Sequence, residues 1–513
     1  MDKRGKAVEF VIERILGGRS DIDKLKREAM DEYPLAHMIK NSEIMEAGKG
    51  RLPEEMLDML RKKPSRTMAG VTPVAIMIKP GGSCGHKCIY CPFTGRAAKS
   101  YTGDEPAAMR AIQADFEPDK QVRIRINQYA EMGHPTDKCE IIIMGGTFLQ
   151  MPEDYKNDFI KRTYDALNGF SSASLEEAVR KNETAEHRAI GLTIETRPDV
   201  CGKKQIDGIL GYGGTRVELG VQHPDDDIYA GINRGHTVED VVRATELLKN
   251  AGFKVLYHVM PGIYGSNPEK DIEMVKKLFS DGRFRPDMLK IYPTLVIEGT
   301  ELYGMMERGE YEPYSSEQAA DVIAEFFRHI PEYVRVMRIQ RDIPAGLIAS
   351  GVKKSNLRQL VQERMEKKKI KPKEIRSREV RNADFDINDF SVKRTEYDAS
   401  NGKEMFLSYE DAGGRLAGFT RLRINDGESC RWEIDDESAL IRELHTYGAE
   451  AGIGKKGGVQ HRGVGRKLLE TAEKTAGEEF DKKKLVVISG AGAREYYFRN
   501  GYERLGRYVA KKL

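Results

Sequence analysis

The sequence predicts an α/β fold: a partial parallel barrel of six β/α units, followed by a smaller α+β domain and preceded by a helical segment. Between residues 67 and 345, short β-rich runs alternate with longer helical stretches, which is the order typical of a parallel barrel. From residue 396 to residue 513, β runs instead follow one another before a helix appears. Residues 1–66 carry apolar side chains at helical spacing and show no strand-like alternation.

The six predicted strands of the barrel are each followed by polar or glycine-rich residues. In a parallel barrel the loops after the strands form one face, so we expect these residues to converge on a single site. The predicted strands are Thr72 to Ile78, Cys139 to Met144, Ala189 to Glu195, Thr215 to Val221, Phe253 to Met260 and Met288 to Tyr292.

The composition excludes several classes of protein. Six cysteines in 513 residues, three of them in one short motif, argue against a disulfide framework and for a reducing compartment. No run approaches the ~18 apolar residues of a membrane span, and the N-terminus lacks the apolar core of a signal peptide. We therefore expect a cytoplasmic protein with no membrane partner.

The net charge of +3 is the difference between 84 basic and 81 acidic residues, so charged partners must be sought in local clusters.

The motif that organises the barrel is Cys84-Gly85-His86-Lys87-Cys88-Ile89-Tyr90-Cys91, which comes soon after the first strand. Three cysteines at this spacing suit three corners of a 4Fe-4S cluster and leave the fourth iron open to a ligand from outside the protein. S-adenosylmethionine (SAM) is such a ligand: its amino and carboxylate groups chelate iron, and an electron from the cluster then cleaves it to a deoxyadenosyl radical. Zinc is the alternative, but zinc prefers four ligands, often in two pairs. The predicted metal ligands are therefore Cys84, Cys88 and Cys91.

Residues after the next three strands supply groups suited to binding SAM. Two glycines let backbone groups approach the methionyl end of the ligand, although a plain tight turn would use the same residues. Glu195 offers an acceptor for ribose hydroxyls and Arg197 a fork-shaped donor for a carboxylate, the alternative being a surface ion pair. The full candidate set is Gly145, Gly146, Thr147, Glu195, Arg197 and Gln222.

Residues 346–395 are predicted to form a basic linker region. From Arg335 to Val380 the sequence carries 14 Lys/Arg and five Asp/Glu, including Lys367-Lys368-Lys369 and Lys371-Pro372-Lys373. Such clustering beside a catalytic barrel favours a surface that binds nucleic-acid phosphates, whereas the alternative is a solvated linker helix. The N-terminal helical segment has two similar interpretations, a cap on the barrel or a module that grips RNA.

The last domain, residues 396–513, has the order of an acetyl-coenzyme A binding N-acetyltransferase (GNAT) fold. The predicted strands Glu404 to Tyr409, Leu416 to Ile424 and Leu440 to His445 precede a glycine-containing helix start. Backbone N–H groups at a helix N-terminus suit a pyrophosphate. The residues predicted to bind the cofactor there are Gln460, Arg462, Gly463, Val464, Gly465 and Arg466.

Several motifs together resemble one known family. They are Tyr101 to Ile112, Ile194 to Asp199, Asn233 to Thr237, Gln340 to Pro344, Ile441 to His445 and Tyr496-Tyr497. From about Leu52 to Leu513 the chain resembles the catalytic third subunit of Elongator and its archaeal single-chain relatives. The resemblance implies a radical-SAM barrel joined to a GNAT domain, in an enzyme that modifies the wobble uridine of tRNA.

The resemblance also implies how the two domains share one reaction. Acetyl-coenzyme A bound to the GNAT domain loses a methyl hydrogen to the deoxyadenosyl radical, and the acetyl radical adds to carbon 5 of uridine 34 in the tRNA anticodon stem-loop. Hydrolysis of the thioester leaves a carboxymethyl group, and an electron donor completes the cycle. Motif matching places acetyl-coenzyme A against Lys138, Glu443, Leu444, His445, Thr446 and Tyr497, and makes Glu443, His445, Tyr496 and Tyr497 the catalytic candidates.

Two other functions are compatible with parts of the sequence. A protein lysine acetyltransferase with a structural iron–sulfur cluster would use Glu443 or His445 as general base, but would leave the barrel loops without a role. A non-catalytic RNA-binding scaffold would be supported only by the basic region. The oligomeric state is left open.

Overall fold

The structure, a computed structural model, describes residues 2–60, 70–81, 84–146, 148–380, 386–426, 429–447 and 463–513. Its N-terminal segment is helical, as predicted, and has a hydrophobic core of its own that includes Val11, Ile12 and Leu25. Among the described residues, no helix is long and apolar enough to cross a membrane. The segment consists of α1 (Lys3–Leu16), α2 (Ile22–Glu32), α3 (Asn41–Ala47) and α4 (Glu54–Leu60).

The barrel domain is one open parallel sheet with its strands in the order of the chain. Helices separate consecutive strands, which is why every pair is parallel. The elements are β1 (Thr72–Met77), α5 (Pro106–Gln113), α6 (Pro118–Glu131), β2 (Lys138–Met144), α7 (Glu153–Asn168), α8 (Leu175–Lys181), β3 (Arg188–Thr196), α9 (Lys203–Gly211), β4 (Arg216–Gln222), α10 (Asp226–Gly231), α11 (Val238–Asn250), β5 (Lys254–Val259), α12 (Pro268–Ser280), β6 (Met288–Ile291), β7 (Val296–Ile297), α13 (Glu301–Glu307), α14 (Ser316–Phe326) and β8 (Arg335–Ile339).

The sheet has seven strands rather than the six predicted, because β8 pairs with β6 at its edge. This strand lies inside the stretch that the sequence singles out as basic. Arg335 of β8 is not a phosphate-binding side chain: its Nη1 lies 2.7 Å from Glu379 Oε2 and donates to the Tyr447 hydroxyl at 2.7 Å. Part of the local positive charge therefore serves packing between elements.

Short elements connect the barrel to the second domain. The two-residue strand β7 pairs with β9 in a separate ribbon. Two helices follow, and α15 packs against α14 of the barrel. The connecting elements are β9 (Ile348–Ser350), α15 (Leu357–Lys367) and α16 (Ile375–Arg378).

The second domain is a mixed seven-stranded sheet in the order β10-β11-β12-β13-β14-β16-β15. It begins at Ser391, before the predicted start at residue 396. Strands β13 and β14 pair in parallel only from Ser438 to Ile441, so no described strand pairs with the second half of β13 on that side. The elements are β10 (Ser391–Asp398), β11 (Gly402–Glu410), β12 (Leu416–Asn425), β13 (Ser438–Thr446), α17 (Val464–Lys474), β14 (Lys484–Val487), α18 (Arg494–Phe498), β15 (Glu503–Leu505) and β16 (Tyr508–Lys512).

The second sheet packs on the end of the barrel where the parallel strands begin. A Cβ atom at Gly490 would lie 2.3 Å from the backbone of Ile190 in β3, so only glycine allows this approach. On the same side, Arg442 of β13 donates to the Phe253 carbonyl just before β5, at 2.8 Å. The carboxyl ends of the strands, where the predicted site lies, therefore face away from the second domain.

A fully buried cluster of charges holds this interface together. Arg442 Nη2 lies 2.6 Å from Asp287 of the barrel and 2.8 Å from Glu404 of β11. Arg423 adds a contact to Glu404 at 3.0 Å, and Lys249 of α11 lies 3.6 Å from Asp287. The Arg442 guanidinium and the Lys249 ammonium outweigh the effect of burial and hold the pKa of Asp287 well below its usual value.

We predict that Arg442→Met lowers the free energy of unfolding by about 3–5 kcal/mol, because it leaves two buried carboxylates without their shared cation. The matched control is Arg308→Met, which removes the partner of Glu310 where the two side chains are 57% and 47% exposed; its effect should be about 0–1 kcal/mol. Urea unfolding of the two variants measures both effects. Equal stability of the two variants would contradict a structural role for the buried cluster.

Candidate active site

A cavity of about 240 Å³ lies at the carboxyl ends of the barrel strands. It gathers the residues that follow β1 to β6, although they are far apart in the sequence. All three motif cysteines line it, together with four of the predicted SAM ligands: Gly146, Glu195, Arg197 and Gln222. The convergence expected of a parallel barrel is therefore found.

The three cysteines form a site that fits an iron–sulfur cluster. All are free thiols that border the same cavity. Burial raises the pKa of the Cys84 thiol, but a backbone hydrogen bond at His86 and the Arg197 guanidinium outweigh burial and bring that pKa below its ordinary value. Burial and the neighbouring Cys88 raise the pKa of Cys91 to about 11. Soft sulfur donors grouped in this way suit iron, and the buried Tyr90 hydroxyl beside them makes no hydrogen bond to the residues that the structure describes.

Glu195 ties the second and third strands together at the cavity wall. Its Oε2 accepts hydrogen bonds from the Tyr101 hydroxyl at 2.9 Å and from the Gly145 N–H at 3.3 Å. Gly145 has φ +113°, and a Cβ atom there would lie 2.7 Å from the Ile78 side chain. Glycine is therefore required at this position for close packing, which is compatible with a ligand-binding turn. Thr147 lies outside the described residues.

Arg197 is held between a carboxylate and a thiol. Its Nε donates to Asp199 Oδ1 at 2.9 Å, and its Nη1 lies 3.1 Å from Cys84 Sγ. The carboxylate that the Arg197 guanidinium binds is thus supplied by Asp199 of the protein itself. That Arg197 also contacts a carboxylate of SAM stays a prediction.

The cavity floor carries a charged group that sequence reasoning did not assign to the site. Glu218, which has no exposed surface, pairs with Lys290 and lies 2.7 Å from His258 Nε2. Burial raises the pKa of Glu218, but the Lys290 and His258 charges outweigh burial and lower it below its usual range. Glu218, His258 and Lys290 occupy inward positions of β4, β5 and β6. The alternation of side chains along these strands is therefore the sequence pattern that could have placed Glu218 in the site.

The predicted acetyl-coenzyme A residues gather around the open half of β13. Glu443, Leu444, His445 and Thr446 end this strand. Burial raises the pKa of Glu443, but Arg421, at 2.9 Å, and Lys254 of β5 outweigh it, so the pKa lies below its ordinary value. His445 packs against Tyr447 with ring centroids 4.5 Å apart, and burial lowers its pKa.

The start of α17 faces the same strand. Gly463 caps the helix with φ +77°, and a Cβ atom at Gly465 would lie 3.0 Å from the Tyr496 hydroxyl. Tyr496 contacts Tyr497 edge to face, with centroids 5.4 Å apart. Val464 is buried at the start of the helix, and Arg466 pairs with Glu470 at 2.7 Å. Gln460 and Arg462 lie outside the described residues.

Lys138 begins β2, at the end of the barrel that carries the second domain. It pairs in register with Arg188 of β3. Arg188 is in close contact with the second domain, because a Cβ atom added at Gly492 would lie 2.3 Å from the Arg188 Cβ. The predicted contact of Lys138 with acetyl-coenzyme A is therefore compatible with its place, and it stays a prediction. The cysteine cavity and the acetyl site lie at opposite ends of the same strands.

Known families match the chain in the order that the fold suggests. Residues 78–278 match the Radical SAM superfamily, residues 286–367 a Radical_SAM C-terminal domain and residues 373–502 the acetyltransferase (GNAT) family. Fold and site thus define a radical SAM protein with an attached GNAT domain, and both predicted domain types are confirmed. The implied cofactors are a 4Fe-4S cluster, SAM and acetyl-coenzyme A.

Similar proteins of known name indicate the family within this class of radical SAM proteins. The chain is 48% identical over 539 residues to the tRNA uridine(34) acetyltransferase of Methanocaldococcus jannaschii, covering 100% of this chain and 99% of the relative. It is 40% identical to Elongator complex protein 3 of Homo sapiens, covering 99% and 96%. The solved structure of Methanocaldococcus infernus Elp3 with an N-terminal deletion has a TM-score of 0.78 at 46% identity and covers 86% of this chain and 99% of that one. The chain therefore belongs to the family of tRNA uridine(34) acetyltransferases and Elongator complex protein 3, as its motifs predict.

We predict that Gly235→Ala prevents cluster assembly without unfolding the protein. Gly235 has φ +71°, and a Cβ atom there would lie 1.8 Å from His86 Nδ1, so the His86 ring between Cys84 and Cys88 must be displaced. The matched control is Gly309→Ala, at φ +74° with nothing within 4 Å, which carries the same backbone strain without the clash. Iron and sulfide content after anaerobic reconstitution measures the effect. Full cluster content in Gly235→Ala would show that this close approach is dispensable.

Proposed function

We propose that this protein is a tRNA uridine(34) acetyltransferase that forms a carboxymethyl group at carbon 5 of the wobble uridine. The observation that carries the proposal is the arrangement of two sites in one chain: a three-cysteine cavity at the carboxyl ends of the barrel strands and a GNAT site packed against their beginnings. A buried charge cluster fixes one site relative to the other. The activity would take place in the cytoplasm, where tRNA is modified.

The cysteine cavity prepares the radical half of the reaction. Cys84, Cys88 and Cys91 would hold the cluster, and Glu195 with the Gly145–Gly146 turn would bind SAM at its ribose and methionyl groups. When bound, cluster and SAM supply the radical that removes hydrogen from an acetyl methyl group. Half-buried aromatic side chains such as Tyr101 and Tyr292 line the cavity and limit the access of water.

The GNAT site prepares the acyl half. The N–H groups at the start of α17 would bind the pyrophosphate of acetyl-coenzyme A, and the open edge of β13 from Glu443 to Thr446 would hold the thioester arm. Arg421 and Lys254 keep Glu443 deprotonated. A carboxylate in this state can accept a proton from the water that hydrolyses the thioester, so Glu443 is our candidate for the general base. Lys254 belongs to the barrel, and the acyl site is therefore shared between domains.

A lysine acetyltransferase with a structural cluster is the competing function. It would need only the GNAT site, and the cavity would be a packed core around the metal. Instead the cavity is lined by a pair of charges, Glu218 with Lys290, that is costly to bury and suits a polar substrate. These groups favour the radical reaction.

We predict that Gly463→Glu abolishes carboxymethylation of tRNA, because a carboxylate at the helix start repels the pyrophosphate. Gly463→Ala has the same φ of +77° and no described atom within 4 Å of the new Cβ, so it controls for backbone strain and should stay active. The assay is bulk tRNA with acetyl-coenzyme A, SAM and dithionite, followed by nucleoside analysis.

The companion variant Cys91→Ser should also make no modified uridine while still binding acetyl-coenzyme A. Acetylation of a protein at normal rate by Cys91→Ser, with no tRNA product from the wild type, would instead establish the lysine acetyltransferase.

We predict that Lys367→Glu with Lys369→Glu weakens tRNA binding and reduces its salt dependence. Both lysines are exposed, whereas Lys368 between them is already 3.1 Å from Glu325. Each lost phosphate contact should lower the slope of log K against log salt by roughly 0.7–0.9. The control is Lys474→Glu with Lys483→Glu, which makes the same change of charge at exposed lysines of the GNAT domain, each paired with a carboxylate. Unchanged affinity and slope in the first pair would make that region a solvated linker.

A further inference from the structure

The loop formed by residues 232–236, between α10 and α11, is pressed against the cysteine motif. The Ile89 N–H donates to the Ile232 carbonyl at 3.2 Å, which joins the two loops through the backbone. Close contact continues at Gly235, where the space for a side chain is filled by His86. The residue between these two contacts is Arg234, and neither the SAM-binding residues nor the acyl site accounts for it.

Arg234 directs a buried guanidinium at a cysteine ligand. The residue is 6% exposed, and its Nη1 lies 3.6 Å from Cys88 Sγ. Its Nη2 donates to the Gly220 carbonyl of β4, and a Cβ atom at Gly220 would lie 2.7 Å from this nitrogen. Strand β4 thus admits the guanidinium only because position 220 carries no side chain. The site is built for this arginine.

The charge of Arg234 has no carboxylate partner within 4.0 Å among the residues that the structure describes. Burying an unpaired guanidinium is costly, so a compensating anion must come from elsewhere. The nearest candidate is the thiol of Cys88, 3.6 Å from Arg234 Nη1. A thiolate bound to a cluster supplies this negative charge.

Arg197 offers a contrast on the other side of the motif. It contacts Cys84 Sγ at 3.1 Å, but two of its nitrogens also bind Asp199. Asp199 in turn lies 3.6 Å from His86 and 3.8 Å from His236. The pair of Arg197 and Asp199 therefore brings an N–H donor to the cluster without net charge.

We propose that Arg234 supplies the uncompensated positive charge at the iron–sulfur cluster and raises its reduction potential, whereas the Arg197–Asp199 pair orients Cys84. The inference rests on the cluster that the proposed function requires. Adding an electron makes the cluster more negative, and a cation in a buried environment of low dielectric constant favours that reduced state. Hydrogen bonds to the ligand sulfur act in the same direction. Arg234 thus determines how strong an electron donor has to be.

The test is a redox titration of the full-length protein, reconstituted anaerobically and kept free of SAM, with the reduced cluster followed by electron paramagnetic resonance. Arg234→Gln removes the charge and keeps an N–H donor, and its midpoint potential should be more negative than that of the wild type. Arg234→Lys keeps the charge and should stay close to the wild type. The matched control is Arg197→Gln with Asp199→Asn, which removes one positive and one negative charge and should leave the potential nearly unchanged.

The inference would be overturned if the midpoint potential of Arg234→Gln equalled that of the wild type. It would also be overturned if the Arg197→Gln, Asp199→Asn protein showed the same shift in potential as Arg234→Gln. Iron and sulfide analysis covers the case in which Arg234→Gln takes up no cluster. Uptake by Arg234→Lys alone would then support a need for the charge, and loss in both variants would show that Arg234 only braces the loop and would refute the proposal. Failure of the wild type to take up a cluster would refute the proposed function itself.

Discussion

The buried charges between the two domains constrain the rest of the molecule. Asp287 and Glu404 have no access to water, and Arg442 lies between them and donates to both. Asp287 belongs to the barrel, whereas Arg442 and Glu404 belong to the GNAT sheet, so a rotation between the domains would separate the buried Asp287 from its main cation. Such an interface fixes geometry more than it adds stability, because desolvation offsets much of the attraction. The distance between the two reaction sites is thereby fixed as well.

That fixed geometry places the strands of the barrel between the two sites. Inward-facing charges occupy successive levels of the same sheet: Glu218 at the cavity floor, Arg216 3.6 Å below it, and Lys254 beside the acyl site. Arg216 also pairs with Glu140 at 2.5 Å. The barrel interior thus contains charged groups of both signs beside apolar side chains such as Ala75 and Ile142.

Much of the fold and of the candidate site could be predicted from the sequence. The features that could not be predicted were missed for physical reasons. The strands of the barrel and the cysteine motif show local patterns, and the order of the chain fixes their convergence. Strand β8 was missed because it lies at the start of a basic stretch, and the partners of its Arg335, Glu379 and Tyr447, are distant in the chain. Arg197 was recognised, but its pairing with Asp199 was not distinguishable from contact with a ligand. Position 234 belonged to a recognised motif, yet its role depends on Gly220 and Cys88, which only the fold brings together.

Unpaired buried polar atoms occur both at the domain interface and around the cysteines. At the interface, Lys249 Nζ and Arg421 Nη1 make no hydrogen bond among the described residues, but each lies within 3.8 Å of a carboxylate of the buried cluster. Around the cysteines, Tyr90 Oη, both His236 ring nitrogens and Arg234 Nε have no hydrogen-bond partner among the described residues. Leaving such groups unsatisfied costs about 1–3 kcal/mol each. Around the cysteines these groups border a cavity lined by three free thiols, so a bound cluster and its ligand would be placed to satisfy them.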